Sequence, residues 1–515
     1  MNRRNGFAWV LPMVFSLLII SGCSRVIDQP TPARVYSILY NDSKTSPLKE
    51  DWLILDQYRE QRNVSFSFRL GDDSDYAKTL VHTFESGDLP DIILKVWPDE
   101  IKTYANAGLL LAFSDYLDRM PYFSAYIADH GLEAELDRFR TSEGKFYLLP
   151  GFQRRIQVQQ WIYRKDLFAK HDLAAPRTYE ELFDSLVMLK ELYPDSIPIS
   201  GGWGGAHLFA MMGAGYGITA GWNGNICYDA PTDRWVFAPA TENLKAMLVF
   251  LNRCYSAGLL DPAIFTQSDV EFTKKMQDGR MILGVSWITS GFANWNKNLA
   301  EQGIVDGEWV PLPVPESTIG IRAVPPVNSF KKGLAVSSRV ATEPYFDDLL
   351  AFLDWAVYSD EGRLLTTWGV EGKTFVNTPN GLQFLPDITT PHNPGAKFEL
   401  KRDYGLDSLF NLTENEAYED FKKPAEIVTF LQKSLDAGYT ASLPPVLHLS
   451  PESMEVVEKI ADRLNPYVTE AIRMFITGEL SISRDWNAYI TELKNRGYGS
   501  IETIYNTVWE NQRQR

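Results

Sequence analysis

Cysteine is scarce: Cys23, Cys227 and Cys254 are the only three in 515 residues. That excludes a disulfide-framework fold, which needs several bridges in a short chain. Cys227 and Cys254 could pair in an oxidising compartment or lie buried as thiols. Histidine is also sparse. The six are scattered, and none falls in an H-E-x-x-H zinc motif. No G-x-S-x-G nucleophile elbow, P-loop or Cys-x-x-Cys pair is present either. Positive charge is short: 50 Lys and Arg against 66 Asp and Glu give a formal net charge of −16. Nucleic acid, which requires a basic footprint, is thereby excluded as a partner. Beyond the N-terminus no continuous apolar run reaches the roughly 20 residues that span a bilayer; the long uncharged stretch 196–228 is interrupted by many glycines and polar residues.

What is present begins with the N-terminus. Arg3 and Arg4 precede an uncharged stretch from Phe7 to Ile20, then the small residues Ser21 and Gly22. This is the pattern of a secretory signal peptide over 1–22. Ile20-Ser21-Gly22-Cys23 resembles the lipobox of bacterial lipoproteins, which implies a diacylated Cys23 as the first mature residue. Two acyl chains give stable anchoring where one does not. Residues 23–33 are polar with two prolines and no periodicity, and are expected to form a tether. Together these place the body outside the membrane, lipid-anchored on its extracytoplasmic face.

Apolar residues make up 45% of the chain, enough for ordinary cores over two or three domains. Aromatics reach 13%, with 14 tryptophans. An indole offers a broad apolar face and one N–H donor, which suits a sugar ring. The pattern along the chain starts with the strand "ARVYSILYN", a helix in "SPLKEDWLILDQYREQRN" and the alternating strand "VSFSFRLG". A helix ending in Gly-Asp-Leu-Pro, the strand "DIILKV" and helices over 98–107 and 114–119 follow. This βαβαβα rhythm predicts a parallel sheet with helices on both faces, and ligands in such sheets sit at the carboxyl ends of the strands. Further on, "GKFYLLPGFQRRIQVQQWIYRKDL" holds two extended runs. Thr178 caps a helix with Glu180 and Glu181 in its first turn. After about residue 450 the chain reads as mostly helical.

These segments, in this order, resemble the family 1 extracellular solute-binding proteins of ABC importers, of which maltose-binding proteins are the best-known branch. The segments that carry the resemblance are "SGDLPDII" with "YANAGLLLAFSDYL", "GKFYLLP" with "WIYRKDLFAKHDLAAPRTYEEL", "MQDGRMILGVSW", and "GLAVSS" through "LLTTWGVEGKTF". The tail from "YVTEAIRMFITGEL" to "IETIYNTVW" is similar to large lipid-anchored carriers of Gram-positive bacteria. The resemblance implies an α/β, two-lobe periplasmic-binding-protein-like fold of type II, with a ligand cleft between lobes joined by a multi-strand hinge. Lobe 1 is expected over 34–153 and 308–365, and lobe 2 over 154–307 and 366–515. The resemblance implies an oligosaccharide ligand, captured by lobe closure and delivered to ABC permease subunits, and no cofactor.

The site residues it implies are Trp287, Trp97, Gln157, Trp222, Trp368 and Glu371; the residues themselves add Trp203, set among four glycines that let backbone approach a ligand, and Asn41, which follows the first strand. Arg154 and Arg155 are atypical beside Gln157. A guanidinium binds a carboxylate bidentately, so they raise an acidic sugar as an alternative to a hinge salt bridge. Many large carriers of this group hold calcium in an Asp/Asn/Gly-rich loop after the helix that follows "PRTYEEL". Here that place reads "LKELYPDSIPIS", with only Asp195 and Ser196, and no metal is expected. Two other readings remain: a sugar-sensing or adhesive lipoprotein with the same fold, and a glycoside hydrolase. The hydrolase needs two carboxyl groups roughly 5 to 10 Å apart, which no segment organises.

Overall fold

The computed structural model describes residues 34–514 apart from 45, 142, 155, 219–225, 289–291, 391, 392 and 394. The expected leader and tether with Cys23 therefore lie outside the described residues, as do Arg155 and Trp222. The strands, in chain order, are β1 (Arg34–Asp42), β2 (Val64–Asp72), β3 (Ile92–Val96), β4 (Leu149–Phe152), β5 (Gln159–Arg164), β6 (Ile197–Ile199), β7 (Ile226–Asp229), β8 (Arg234–Phe237), β9 (Met281–Trp287), β10 (Trp309–Leu312), β11 (Phe330–Val336), β12 (Phe375–Thr378) and β13 (Gly381–Phe384).

The first sheet has the order β2-β1-β3-β11-β4. β1 runs parallel to β2 from Arg34 opposite Val64 to Asp42 opposite Asp72, and parallel to β3 through Ile38–Ile92 and Leu39–Ile93. The β-branched and aromatic residues of these segments suit a pleated, buried surface. Between them lie the helices Leu53–Arg62 and Tyr76–Ser86, closed by left-handed Asn63 and Gly87. β11 returns antiparallel between β3 and β4, so the sheet is mixed rather than wholly parallel. Gly333 lets β11 squeeze into that slot: a Cβ there would meet the Leu149 carbonyl oxygen at 2.2 Å. Tyr36, Ile38, Tyr40, Ile92 and Leu94 face one core, while Leu39, Ile93 and Val96 face another.

The second sheet has the order β10-β5-β9-β6, with β6 parallel to β9 and the other pairs antiparallel. Two expected boundaries are corrected. β10 pairs with β5, burying Trp309 and Leu312, so lobe 2 retains residues 309–312 and lobe 1 resumes with β11 rather than at 308. Lobe 1 also does not end at 365. Leu406, Leu409, Phe410 and Leu412 pack in its core with Tyr58 and Phe352. The return to lobe 2 comes with the helix Ala425–Asp436, whose Ile427 and Leu431 pack with Ile162 and Trp309.

The chain ends in three helices, Pro451–Thr477, Ile482–Arg496 and Tyr498–Arg513. The first packs on the helix Glu242–Ser256, where the Asn252 amide donates to the Phe475 and Ile476 carbonyls at 3.1 Å each. The last clamps the β7–β8 hairpin: Trp235 N–H donates to Asn506 Oδ1 at 2.9 Å, and Asn506 Nδ2 donates to the Trp235 carbonyl at 2.8 Å. Cys227 and Cys254 are buried in this core as thiols rather than joined, and burial pushes Cys254 up to about 12. Among the described residues no helix is long and apolar enough to cross a membrane.

Candidate functional site

The chain crosses between the sheets at 153–158, between β4 and β5, and again at 313–329, between β10 and β11. Gln153 and Gln157 tie the two crossings, donating to the carbonyls of Asn328 and Pro325 at 3.4 Å each. Beside them opens a cleft of about 1010 Å³ walled by both lobes. Its volume lies at the upper end of the range for small-molecule sites. Trp97, Phe139, Phe330 and Lys332 line it from lobe 1. Trp287, Val428 and Leu431 line it from lobe 2, and Arg154, Ile156 and Gln157 from the crossing.

Trp97 and Trp287 occupy matching places. Each stands at the carboxyl end of a core strand, β3 and β9. Trp97 is fixed by its own backbone: its N–H donates to Glu100 Oε2 at 2.7 Å, in the first turn of the helix Pro98–Asn106. Its ring stands edge-on to Phe330 at 6.3 Å, and Lys332 Nζ lies 5.7 Å from its centroid. Trp287 closes β9 opposite Gln159. The two indoles are 40% and 48% exposed, an unusual amount of tryptophan surface to leave in water on facing walls.

Trp203 lies near Trp287 on lobe 2 but outside the cleft wall. His207 bridges them: its ring is 5.8 Å from Trp203, tilted by 30°, and 6.3 Å from Trp287, edge-on. Burial lowers the His207 pKa against the pull of Asp269, which favours the neutral ring. Trp203 is 67% exposed and has φ +54°, followed by Gly204 at +58° and Gly205 at +81°. A tryptophan in the left-handed region is strained, and such strain clusters at functional sites. It is held by its N–H, which donates to Asp269 Oδ1 at 2.6 Å.

The other expected contacts have different roles. Arg154 is spent on the hinge: its backbone N–H and Nε reach Glu414 at 2.6 and 3.0 Å, and its terminal nitrogens grip Asp420. Hydrogen bonds to Asp420 raise its pKa further. Gln157 lines the cleft, yet its Oε1 accepts from Gln159 N–H at 3.0 Å. Trp368 is corrected to a core residue. It is 2% exposed and stacks on Phe384 at 4.6 Å, with Tyr418 and Phe421 around it. Glu371 is exposed on the same hairpin, accepting from Asn377 N–H at 3.3 Å, and does not line the cleft. Asn41 is 8% exposed at the end of β1 and is likewise not part of the cleft wall.

Phe139, Phe330, Lys332 and the Glu414–Lys423 wall were not anticipated. The aromatic at 330 was legible as the start of the strand ending in "GLAVSS", but its neighbours come from segments far apart in sequence. At the "LKELYPDSIPIS" turn the Lys190 ammonium donates to the Pro194 and Ser196 carbonyls at 2.7 and 2.6 Å. The positive charge at that turn is thus supplied by the chain. Among the described residues no group of three or more His, Cys, Asp or Glu is placed to hold a metal ion.

The family model of the bacterial extracellular solute-binding proteins matches residues 45–324. No curated protein matches as a relative. Solved structures do match in fold. An alginate-binding protein, AlgQ2, crystallised without calcium ion, has a TM-score of 0.71 at 16% identity, covering 92% of this chain and 98% of that one. The ABC-transporter substrate-binding protein FusA of S. pneumoniae, in complex with kestose, gives 0.70 at 18% identity, covering 93% and 100%. An extracellular solute-binding protein from Bifidobacterium longum subsp. infantis gives 0.70 at 15% identity, covering 92% and 98%.

Proposed function

The chain belongs to the bacterial extracellular solute-binding protein family, and on that premise we propose that it is the lipid-anchored component of an ABC importer that captures an oligosaccharide and hands it to a membrane permease. The observation that carries the ligand class is the pair of half-exposed tryptophans, Trp97 and Trp287, at equivalent strand ends of the two lobes on one cleft. Flat apolar faces with polar groups between them match the C–H faces and hydroxyl rim of a sugar. The similar folds of an alginate-binding protein and of FusA in complex with kestose support the same class.

The mechanism is a hinge closure. The two crossings and the Arg154 brace hold the lobes in register while the walls close on a sugar chain between the indoles. The ligand leaves chemically unchanged. The Cys23 lipid keeps the carrier beside its permease, since two acyl chains at about 0.8 kcal/mol per buried CH₂ hold it at the surface.

A thermal-shift screen of the purified protein against oligosaccharides tests this reading. At 100 times its dissociation constant a ligand adds about 2.7 kcal/mol of stability. A shift with the sugar recovered intact supports a carrier. Cleavage products would make it a hydrolase, and a panel without any shift would end the case for sugars. Mass spectrometry of the membrane-extracted protein checks the diacylated Cys23.

A further inference from the structure

Four glutamines, Gln153, Gln157, Gln159 and Gln160, fall within the first crossing and the start of β5. Three have side chains occupied by the protein. Gln153 and Gln157 tie the two crossings through their Nε2 groups, and Gln157 Oε1 accepts from Gln159 N–H. Gln160 is 2% exposed, and its Nε2 donates to the Gln157 carbonyl at 2.7 Å. Gln159 differs. It lines the cleft, and among the described residues no group hydrogen-bonds to its side-chain amide.

The strand register says where that amide stands. Gln159 is directly opposite Trp287 in the antiparallel β5–β9 pair. Ile288 N–H donates to the Val158 carbonyl at 3.0 Å. Gln159 and Trp287 are therefore a non-hydrogen-bonded pair, the kind whose side chains stand closest, with α-carbons about 4.5 Å apart. The next pairs on the same face are Trp161–Val285 and Tyr163–Leu283, all in the lobe 2 core. Alternation thus carries one face of the sheet out of that core and ends it with Gln159 and Trp287 side by side in the cleft wall.

A sugar ring lying on an indole projects its hydroxyls sideways, so the side chain beside the indole is the one that meets them. A carboxamide presents an N–H and a C=O on one side, the fork with which glutamine reads the donor–acceptor edge of adenine. Two adjacent hydroxyls offer the complementary acceptor and donor. A guanidinium in this place would favour a carboxylate instead.

We propose that Gln159 is the hydrogen-bonding residue beside Trp287, its amide forking onto two adjacent hydroxyls of the sugar unit that stacks on that indole, while Gln157 serves the hinge. This rests on the carbohydrate reading of the cleft and deepens it: the lobe 2 wall takes a sugar unit with an unsubstituted vicinal diol.

Calorimetric titration of the purified protein with kestose, maltotetraose, cellotetraose and mannotetraose finds the one that wild type binds most tightly. A set of its singly deoxygenated forms then tests the fork. Gln159→Met keeps the length of the side chain and removes the amide. It should weaken the parent sugar about 5- to 100-fold, the range for two neutral hydrogen bonds, and leave the melting temperature of the free protein within about 2 °C. Loss of either of two adjacent hydroxyls should weaken wild type severalfold and Gln159→Met less than about twofold. Gln157→Met should do the reverse, lowering the melting temperature while the dependence on those two hydroxyls persists. Unchanged affinity in Gln159→Met, or a loss matched by a drop in its melting temperature, would overturn the assignment and leave the carbohydrate reading intact. So would a hydroxyl dependence that Gln159→Met retains or that Gln157→Met loses. Binding of none of the four sugars by wild type would remove both.

Discussion

Arg154 grips Asp420 with both terminal guanidinium nitrogens, at 2.5 and 3.1 Å from its two carboxylate oxygens. The pair fastens the first crossing between the lobes to the wall at the entrance of lobe 2. A bidentate, partly buried pair of this geometry is worth more than a surface contact, but Arg154 remains 26% exposed in its side chain, so screening reduces the figure. Arg154→Met should lower unfolding free energy by about 1–3 kcal/mol, read from urea melts. Any change in affinity from the loosened hinge should fall equally on acidic and neutral sugars. A selective loss of acidic ligand would show that the guanidinium faces ligand after all.

Two tryptophans of equal size should separate binding from stability. Trp287→Ala removes an exposed ring from the cleft wall. Ligand affinity should fall by about 1.5–3 kcal/mol, the value of burying one large apolar side chain, with little change in melting temperature. Trp368→Ala empties a closed aromatic cluster and should cost about 3–5 kcal/mol of stability. Calorimetry and thermal melts of both variants give the answer, and the reverse pattern would exchange their roles.

Trp203 extends the aromatic surface outward from Trp287 by way of His207. Trp203→Ala should leave stability within about 0.5 kcal/mol. It should weaken chains of four or more sugar units while sparing disaccharides. Affinity measured along a length series decides this, and a uniform loss would place Trp203 at the central contact instead.

Asp354 sets a pH dependence. It is buried, and its carboxylate accepts from Tyr122 and Phe123 N–H at 3.0 and 2.7 Å, at the start of the helix Pro121–Asp129. Burial raises its pKa to about 6 even though those two N–H groups pull it down. An acid raised above its unfolded value contributes stability below the unfolded pKa and loses it as pH rises through the folded pKa. Unfolding free energy should therefore fall between pH about 4 and 6, by on the order of 2 kcal/mol from this group. Asp354→Asn should flatten that slope in urea melts taken across the window.

The Lys190 ammonium bonds the Pro194 and Ser196 carbonyls, so the stability of that turn should not depend on added metal. Chelator should leave the melting temperature unchanged, while Lys190→Met should lower stability by about 1–2 kcal/mol through two lost charged hydrogen bonds. A calcium-dependent rise in the wild-type melting temperature would contradict this.

The elements most legible in the sequence were those fixed locally. The first three strands, the Thr178 cap and the helix ending at Gly258 follow from period, capping and turn residues within a few positions. The lobe boundaries were not, because β10 is only "WVPL": four residues with a proline read as a break, and only pairing with Trp161–Arg164 shows where they belong. Trp368 was implied as a ligand contact by the family resemblance, and its neighbours in sequence do not show that Phe384 and Phe421 arrive from elsewhere to bury it. "DIILKV" reads as an unbroken strand. The bulge at Lys95 depends on Leu334 and Gly333, more than two hundred residues away, and no local pattern carries it.

The Asn506 clamp on Trp235 has a consequence for synthesis. The core of lobe 2 gathers Trp161, Cys227, Phe475 and Ile501, and its β7–β8 hairpin is closed by a side chain from the last helix. Loop-closure entropy is met before such distant contacts form. Lobe 1 has nearly all its residues by Leu412, but the wall that carries Trp287 rests on a body that is incomplete until residue 506 has left the ribosome. A message cut short before the codon for Asn506 would give a protein with one sound half of the binding site and nothing firm to close against it.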